Sequence, residues 1–277
     1  MTHETSLAVE LQGPVGLVTL NRPQRHNAFD DVLIADLTQA LRDMEADDAV
    51  RVVVLAGAGK SFSAGADLHW MKRVSGFSKE QNQRDAMALG ALMRTLAHLR
   101  KPTIARVHGA AYGGGVGLVA CCDIAVATQA ATFSISEVKL GLIPAVISPY
   151  VVAAIGERAA RRYFLTGELF DAGQAWRLGL VHELAIDDAD MDERLGAMVE
   201  ALLVAGPVAV REAKELIRAV ANKPVHSELI QDTAERIARI RSSPEGREGV
   251  AAFLEKRKPS WIPRPPQVAE SDKPLKP

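Results

Sequence analysis

The chain has 277 residues, 48% hydrophobic and 24% charged, enough to bury a sizeable core in one large or two small domains. With 33 Lys and Arg against 34 Asp and Glu, its formal charge of −1 gives no general attraction to nucleic acid or to an anionic membrane. No apolar run is long enough to span a bilayer. The start, Met1-Thr2-His3-Glu4-Thr5, lacks the basic region and apolar core of a signal peptide, so a cytoplasmic location is expected.

Leu7–Leu11 and Val15–Leu20 read as a β-hairpin turning at Gly13-Pro14. Residues 30–46 read as a helix, and Val52–Ala56 as an apolar strand. The strand leads into a loop of small residues, Ser61-Phe62-Ser63-Ala64-Gly65-Ala66. A helix is expected to start at Asp67, where an acid suits the helix dipole. Residues 79–100 read as a helix and Pro102–Val107 as a strand. Gly113-Gly114-Gly115-Val116-Gly117 then opens an apolar helical segment, Val116–Cys122. Cys121 and Cys122 are the only cysteines; being adjacent, they suit neither an unstrained disulfide nor a metal site, and read as buried thiols. Asp123 is expected to order the turn into the next β-like run. Residues 147–164 read as a helix. From residue 188 the pattern is helical with little β signal, over 188–205, 207–222, 226–242 and 245–257, with Pro207 at a helix start. Residues 262–277 carry prolines and charges without an apolar period and are expected to be disordered. The predicted organisation is therefore a core over 1–200, a helical region over 201–261 and the tail.

The glycine run carries the chemistry. Without a Cβ, its backbone can approach a ligand closely. The first N–H groups of a helix have no partner inside it, and the dipole adds partial positive charge there. The loop before Asp67 has the same design, so one N–H from each loop can converge on a single carbonyl oxygen. Glu137, a short way downstream, supplies a carboxylate to move a proton. Two other readings compete. A glycine run can be a tight turn. Gly115-x-Gly117-x-x-Ala120 also fits a dinucleotide fingerprint, but it begins inside the helical segment rather than in the turn after the strand. His26 and His108 read as structural or exposed. No cluster has metal-ligand spacing, and no Gly-x-Ser-x-Gly elbow occurs.

Several segments together resemble the crotonase superfamily of enoyl-CoA hydratases and isomerases, over nearly all of Leu7 to Trp261. These are Asn21-Arg22-Pro23 with Asn27-Ala28-Phe29; Phe62 to Leu68; Lys101-Pro102-Thr103-Ile104-Ala105 through Gly113-Gly114-Gly115 to Cys122-Asp123-Ile124; Phe133 to Pro144; and Leu165-Thr166-Gly167 followed by Gly179-Leu180-Val181. The resemblance implies an α/β fold, a spiral of repeated ββα turns, with a C-terminal helical region that packs in homotrimers, often paired as hexamers. It assigns the oxyanion donors to the N–H groups of Ala66 and Gly114, which would hold the thioester carbonyl of an acyl-CoA, and proton exchange at the α-carbon to Glu137. It places Ala64 and Leu68 at the adenine end of coenzyme A, with Lys258 and Trp261 as further contacts. No separate cofactor is implied, because coenzyme A is part of the substrate, and no metal.

The sequence departs from that pattern at one position. Hydratases of the family usually carry a second glutamate, which activates water, where this chain has Gly117. One carboxylate suffices for an isomerase; two make hydration straightforward. A narrower resemblance points back to hydration. Gly65–Met71, Gly113–Asp123 and Ile143–Tyr150 are similar to a bacterial methylglutaconyl-CoA hydratase-like subgroup of leucine and terpenoid-acid breakdown. Its substrate has a distal carboxylate, which His69, Lys72, Arg73 or Lys139 could meet. The expected activity is hydration of a branched 2-enoyl-CoA. The alternatives are a single-glutamate isomerase and a non-catalytic acyl-CoA-binding protein.

Overall fold

The computed structural model of the protein describes residues 5–262. The tail expected over 262–277 therefore lies, beyond Ile262, outside the described residues. The chain forms two compact units, one ending at Leu202 and the other starting at Leu203.

Among the described residues the first unit carries ten strands: β1 (Leu7–Gln12), β2 (Val15–Leu20), β3 (Val52–Gly57), β4 (Ser61–Ser63), β5 (Thr103–Val107), β6 (Ala110–Tyr112), β7 (Ile124–Thr128), β8 (Thr132–Ser134), β9 (Leu169–Asp171) and β10 (Glu183–Ala185). Its helices are α1 (Asp31–Ala46), α2 (Leu68–Val74), α3 (Lys79–Ala97), α4 (Gly114–Cys121), α5 (Ser148–Thr166), α6 (Ala172–Arg177) and α7 (Asp188–Val204), whose last two residues belong to the second unit.

The strands make two sheets. A six-stranded sheet has the order β1-β2-β3-β5-β7-β10, antiparallel only in the β1–β2 hairpin. Strand β3 shows why: Val52, Val53, Val54 and Leu55 are all buried, the unbroken apolar run of a parallel strand covered on both faces. Helix α1 packs on α3, and it buries Leu33, Leu37, Leu41 and Met44, one apolar stripe at helical spacing. Asp30 caps α1 by accepting the Leu33 N–H at 2.9 Å, and Ser78 with Gln81 forms a capping box on α3. A four-stranded sheet has the order β4-β6-β8-β9, with β4, β6 and β8 mutually parallel and β9 antiparallel to β8. Each of its strands has three residues, too short to show an alternating pattern, so β4 lies inside what the sequence reads as a loop.

Two helices differ from expectation. Helix α3 ends at Ala97 rather than at residue 100, shortly before Lys101-Pro102, a pair that disfavours helical backbone. Helix α5 is interrupted at Gly156 (φ 76°, ψ 156°), a conformation open to glycine, so the apolar period read as one helix is two helical pieces across a kink.

In the second unit, α8 (Pro207–Val220), α9 (Ser227–Ser242) and α10 (Pro244–Leu254) pack together. The Glu245 carboxylate accepts the Val208 and Ala209 N–H groups at 2.9 and 2.8 Å, satisfying the start of α8. Arg239 pairs with Glu212 at 2.7 Å. Few side chains here are buried, while Ile217, Val225, Phe253 and Leu254 are exposed.

Candidate active site

Parallel pairing collects the site. Strand β4 pairs with β6 (Ser61↔Ala110, Ser63↔Ala111) and β6 with β8 (Ala110↔Thr132, Tyr112↔Ser134), all running one way. The segments that leave them, Ala64–Ala66, Gly113–Gly114 and Ser136–Glu137, therefore emerge at the same edge. These are the segments singled out in the sequence.

The first loop is held by the short segment 26–29. The Ala64 N–H donates to the His26 carbonyl (2.9 Å), the Phe29 N–H to Gly65 (2.7 Å) and the Asp67 N–H to Phe29 (2.8 Å). The Ala66 N–H takes no hydrogen bond among the described residues. Buried Asn27 donates to the Ala58 and Ser61 carbonyls at 2.9 and 2.7 Å. Asp67 caps α2 by accepting the His69 and Trp70 N–H groups at 2.8 and 3.1 Å, and pairs with Arg22 and Arg25 at 3.1 and 3.0 Å. Burial alone would raise its pKa, but those N–H groups and Arg25 outweigh it and hold the carboxyl below its ordinary value. Arg22 also binds Asp30 (2.8 Å) and the Ala28 carbonyl (2.8 Å), so one guanidinium ties together the acids that cap α1 and α2.

The second loop turns at Gly113 (φ 50°, ψ −116°), whose N–H donates to the Ser134 carbonyl at 2.8 Å. Gly114 is the first residue of α4, and its N–H takes no hydrogen bond among the described residues. A Cβ on Gly113 would lie 3.1 Å from Glu137 Oε1 and 3.8 Å from the Gly65 Cα, so both loops and the carboxylate meet there. Glu137 opens a short 3-10 helix, Glu137–Leu140. It is half-buried, and burial pushes its pKa up. Oε2 is buried with no hydrogen-bond partner among the described residues.

These groups border a cavity of about 480 Å³. Its wall is apolar, from Phe29, Trp70, Leu89, Val146 and Ile147 among others, and Glu137 is the one acidic or basic side chain among the described residues lining it. Ala64, Ala66 and Leu68 also line a second pocket of about 350 Å³ with Arg25, His26 and His69. None of the four cations considered for a distal carboxylate lines the larger cavity. His69 lies in the second pocket, Arg73 pairs with Asp31, and Lys72 and Lys139 are exposed. Lys258 and Trp261 lie in the second unit, where the Trp261 indole donates to the Val204 carbonyl at 3.0 Å and its ring covers Gly249.

Gly117 is a packing glycine. A Cβ there would fall 2.3 Å from Ile147 Cγ2 and 3.1 Å from the Met93 methyl. The space a second carboxylate would need is filled by Ile147. His108 binds the Gly59 carbonyl at 2.8 Å and His26 meets Ser61 Oγ at 3.1 Å, both within the scaffold. Asp123 accepts the Thr103 N–H and hydroxyl at 2.8 and 3.0 Å, joining the starts of β5 and β7. Both cysteines are buried thiols outside any disulfide, and the Cys121 thiol donates to Met93 Sδ at 3.8 Å. Sequence reasoning missed Phe29, Tyr112 and Ser136 as cavity residues. Tyr112, adjacent to Gly113, and Ser136, adjacent to Glu137, are the two whose positions in the chain signalled them.

Comparison with known proteins agrees with this geometry. Residues 10–264 match the family model described as enoyl-CoA hydratase/isomerase. A Rhizobium meliloti relative named "Probable enoyl-CoA hydratase" is 38% identical, covering 93% of this chain and 98% of its own. The crystal structure of an enoyl-CoA hydratase from Shewanella pealeana is 46% identical with a TM-score of 0.90, covering 92% of this chain and 96% of that one. One from Mycobacterium smegmatis is 35% identical with a TM-score of 0.86, covering 93% and 99%.

Proposed function

The chain belongs to the enoyl-CoA hydratase/isomerase family of the crotonase superfamily, as an enoyl-CoA hydratase, and from that premise we propose that it hydrates a branched, methylglutaconyl-type 2-enoyl-CoA. The observation that carries the reading is the meeting of Glu137 with two unpaired N–H groups at one end of three parallel strands. The N–H groups of Ala66 and Gly114 hold the thioester oxygen. As charge develops there, each donor contributes on the order of 3 kcal/mol to the transition state. Glu137 moves the proton at the α-carbon, and its raised pKa suits a group that must both accept and return one. The pocket shared by Ala64 and Leu68, with Arg25 and His69 on its wall, supports their role at the adenine end of coenzyme A, whose phosphates are anionic. No further cofactor enters this chemistry.

The apolar wall suits a branched acyl group, and the resemblance of Gly113–Asp123 and Ile143–Tyr150 to the methylglutaconyl-type subgroup supports that choice. With no cation on the cavity wall, a distal carboxylate gains nothing from a direct ion pair there. Its advantage would have to come from assisting water itself. The test compares 3-methylglutaconyl-CoA with crotonyl-CoA in heavy-oxygen water. Faster hydration of the branched ester with oxygen incorporation is expected. Equal rates on both would remove the branched substrate, and double-bond migration without incorporation would favour the isomerase.

A further inference from the structure

Hydration needs a water molecule placed at the β-carbon, and an acceptor for its proton. Gly117 cannot supply the second carboxylate, and Ile147 fills the space beside it. Among the described residues lining the cavity, only Tyr112, Ser136 and Glu137 have oxygen in their side chains. The Tyr112 hydroxyl is committed to Thr132 Oγ1 at 3.0 Å. Ser136 precedes the 3-10 helix of Glu137, where a serine ordinarily caps, yet its side chain makes no capping bond. Its hydroxyl has no hydrogen-bond partner among the described residues, and it is not among the buried, unpaired polar atoms. It is therefore open to a ligand. Beside it, Glu137 Oε2 is buried and unpaired.

We propose that the Ser136 hydroxyl is the second anchor of the attacking water, holding it against Glu137 so that a single carboxylate suffices for hydration. The inference rests on the hydratase reading. Water binds with one hydrogen toward the Glu137 carboxylate and its oxygen oriented by Ser136. Its oxygen bonds to the β-carbon as Glu137 takes the proton. The electron pair of the double bond moves onto the thioester oxygen, between the Ala66 and Gly114 N–H groups. The resulting enolate collapses to the carbonyl as Glu137 returns the proton to the α-carbon. One water is consumed, Glu137 is regenerated, and Ser136 neither gains nor loses a proton.

The test separates water placement from proton transfer. Exchange of the α-protons of butyryl-CoA in deuterium oxide needs Glu137 and the two N–H donors but adds no water. Ser136→Ala should lower kcat for hydration about 10- to 100-fold, the loss of one hydrogen bond in a charged setting. KM and the butyryl-CoA exchange rate should stay within about threefold, and Ser136→Thr should restore most of the hydration rate. Unchanged hydration in Ser136→Ala, or equal loss of hydration and exchange, overturns the role of Ser136 while leaving the hydratase intact. A native enzyme that exchanges α-protons but incorporates no heavy oxygen from any 2-enoyl-CoA overturns the hydratase reading, and the Ser136 proposal with it.

Discussion

Glu137 is half-buried beside Gly113 with one oxygen buried and unpaired, so its charge costs stability in the folded state. Its folded pKa lies above the unfolded one, so that cost is present above the folded pKa and vanishes as pH falls below the unfolded value. Glu137→Gln removes the charge and keeps the shape. Turnover should fall about 100- to 10,000-fold, while stability at neutral pH should equal or exceed that of the native protein, the difference closing in acid. Urea unfolding at neutral and acidic pH, alongside kcat, checks both. Near-normal turnover would remove the assignment. In the native enzyme, the acidic limb of kcat/KM should lie above the ordinary carboxylate range. At Gly117 the steric argument reverses a simple expectation. Adding the missing acid as Gly117→Glu should not create a better hydratase, because its Cβ would meet Ile147 at 2.3 Å. Overpacking costs about 1–3 kcal/mol before the buried charge is counted. The single variant should melt earlier than the native protein. The acid should help crotonyl-CoA only beside Ile147→Ala, judged against Ile147→Ala alone. A Gly117→Glu protein with an unchanged melting point would show that Ile147 yields.

Asp67 joins two elements, since it caps α2 and anchors the arginines under the first loop, one residue after Ala66. Asp67→Ala should cost about 1 kcal/mol for the cap, with a further loss as half-buried Arg22 gives up one of its two carboxylate partners and keeps Asp30. Its depressed pKa means its stabilisation is present at neutral pH and lost as pH falls through the lowered value. Asp67→Asn should therefore be less stable than the native protein at neutral pH, with the gap narrowing in acid. Urea titrations at both pH values measure it, and a constant gap would show that the charge is irrelevant. For α4, proline suits the first helical position but removes the Gly114 N–H. Gly114→Pro should lower kcat about 100- to 1,000-fold. Its Cβ would come within 2.8 Å of the Phe29 ring, so circular dichroism must confirm folding. A folded variant with normal turnover would remove the oxyanion hole.

The whole molecule leaves apolar side chains exposed in the second unit, with Phe253 at 83% and Val225 at 81%. Large apolar side chains left in water become an association surface where they lie together. They support the homotrimer or homohexamer that the family resemblance implies. Light scattering on the native protein should give such a mass, and Phe253→Glu should shift it downward. A monomer across the micromolar range would contradict the expectation. Among the described residues, no helix is long and apolar enough to cross a membrane.

The sequence by itself determined the chemistry-bearing segments and their order. The two small-residue loops, Glu137 and the helical C-terminal pattern are local signals, set by glycine, by an acid at a helix start and by apolar period. It also exposed the departure at Gly117. Only the tertiary structure decided what those segments do together. Strands β4, β6 and β8 have three residues each, and their parallel pairing joins positions near 61, 110 and 132 that share no local pattern. That pairing brings Ala66, Gly114 and Glu137 to one edge. Packing likewise decided that Ile147 fills the space at Gly117, that the candidate cations stand off the cavity, and that Ser136 lines it without capping its own helix. Such contacts depend on which distant side chains share a volume, and one-dimensional periodicity carries no record of that.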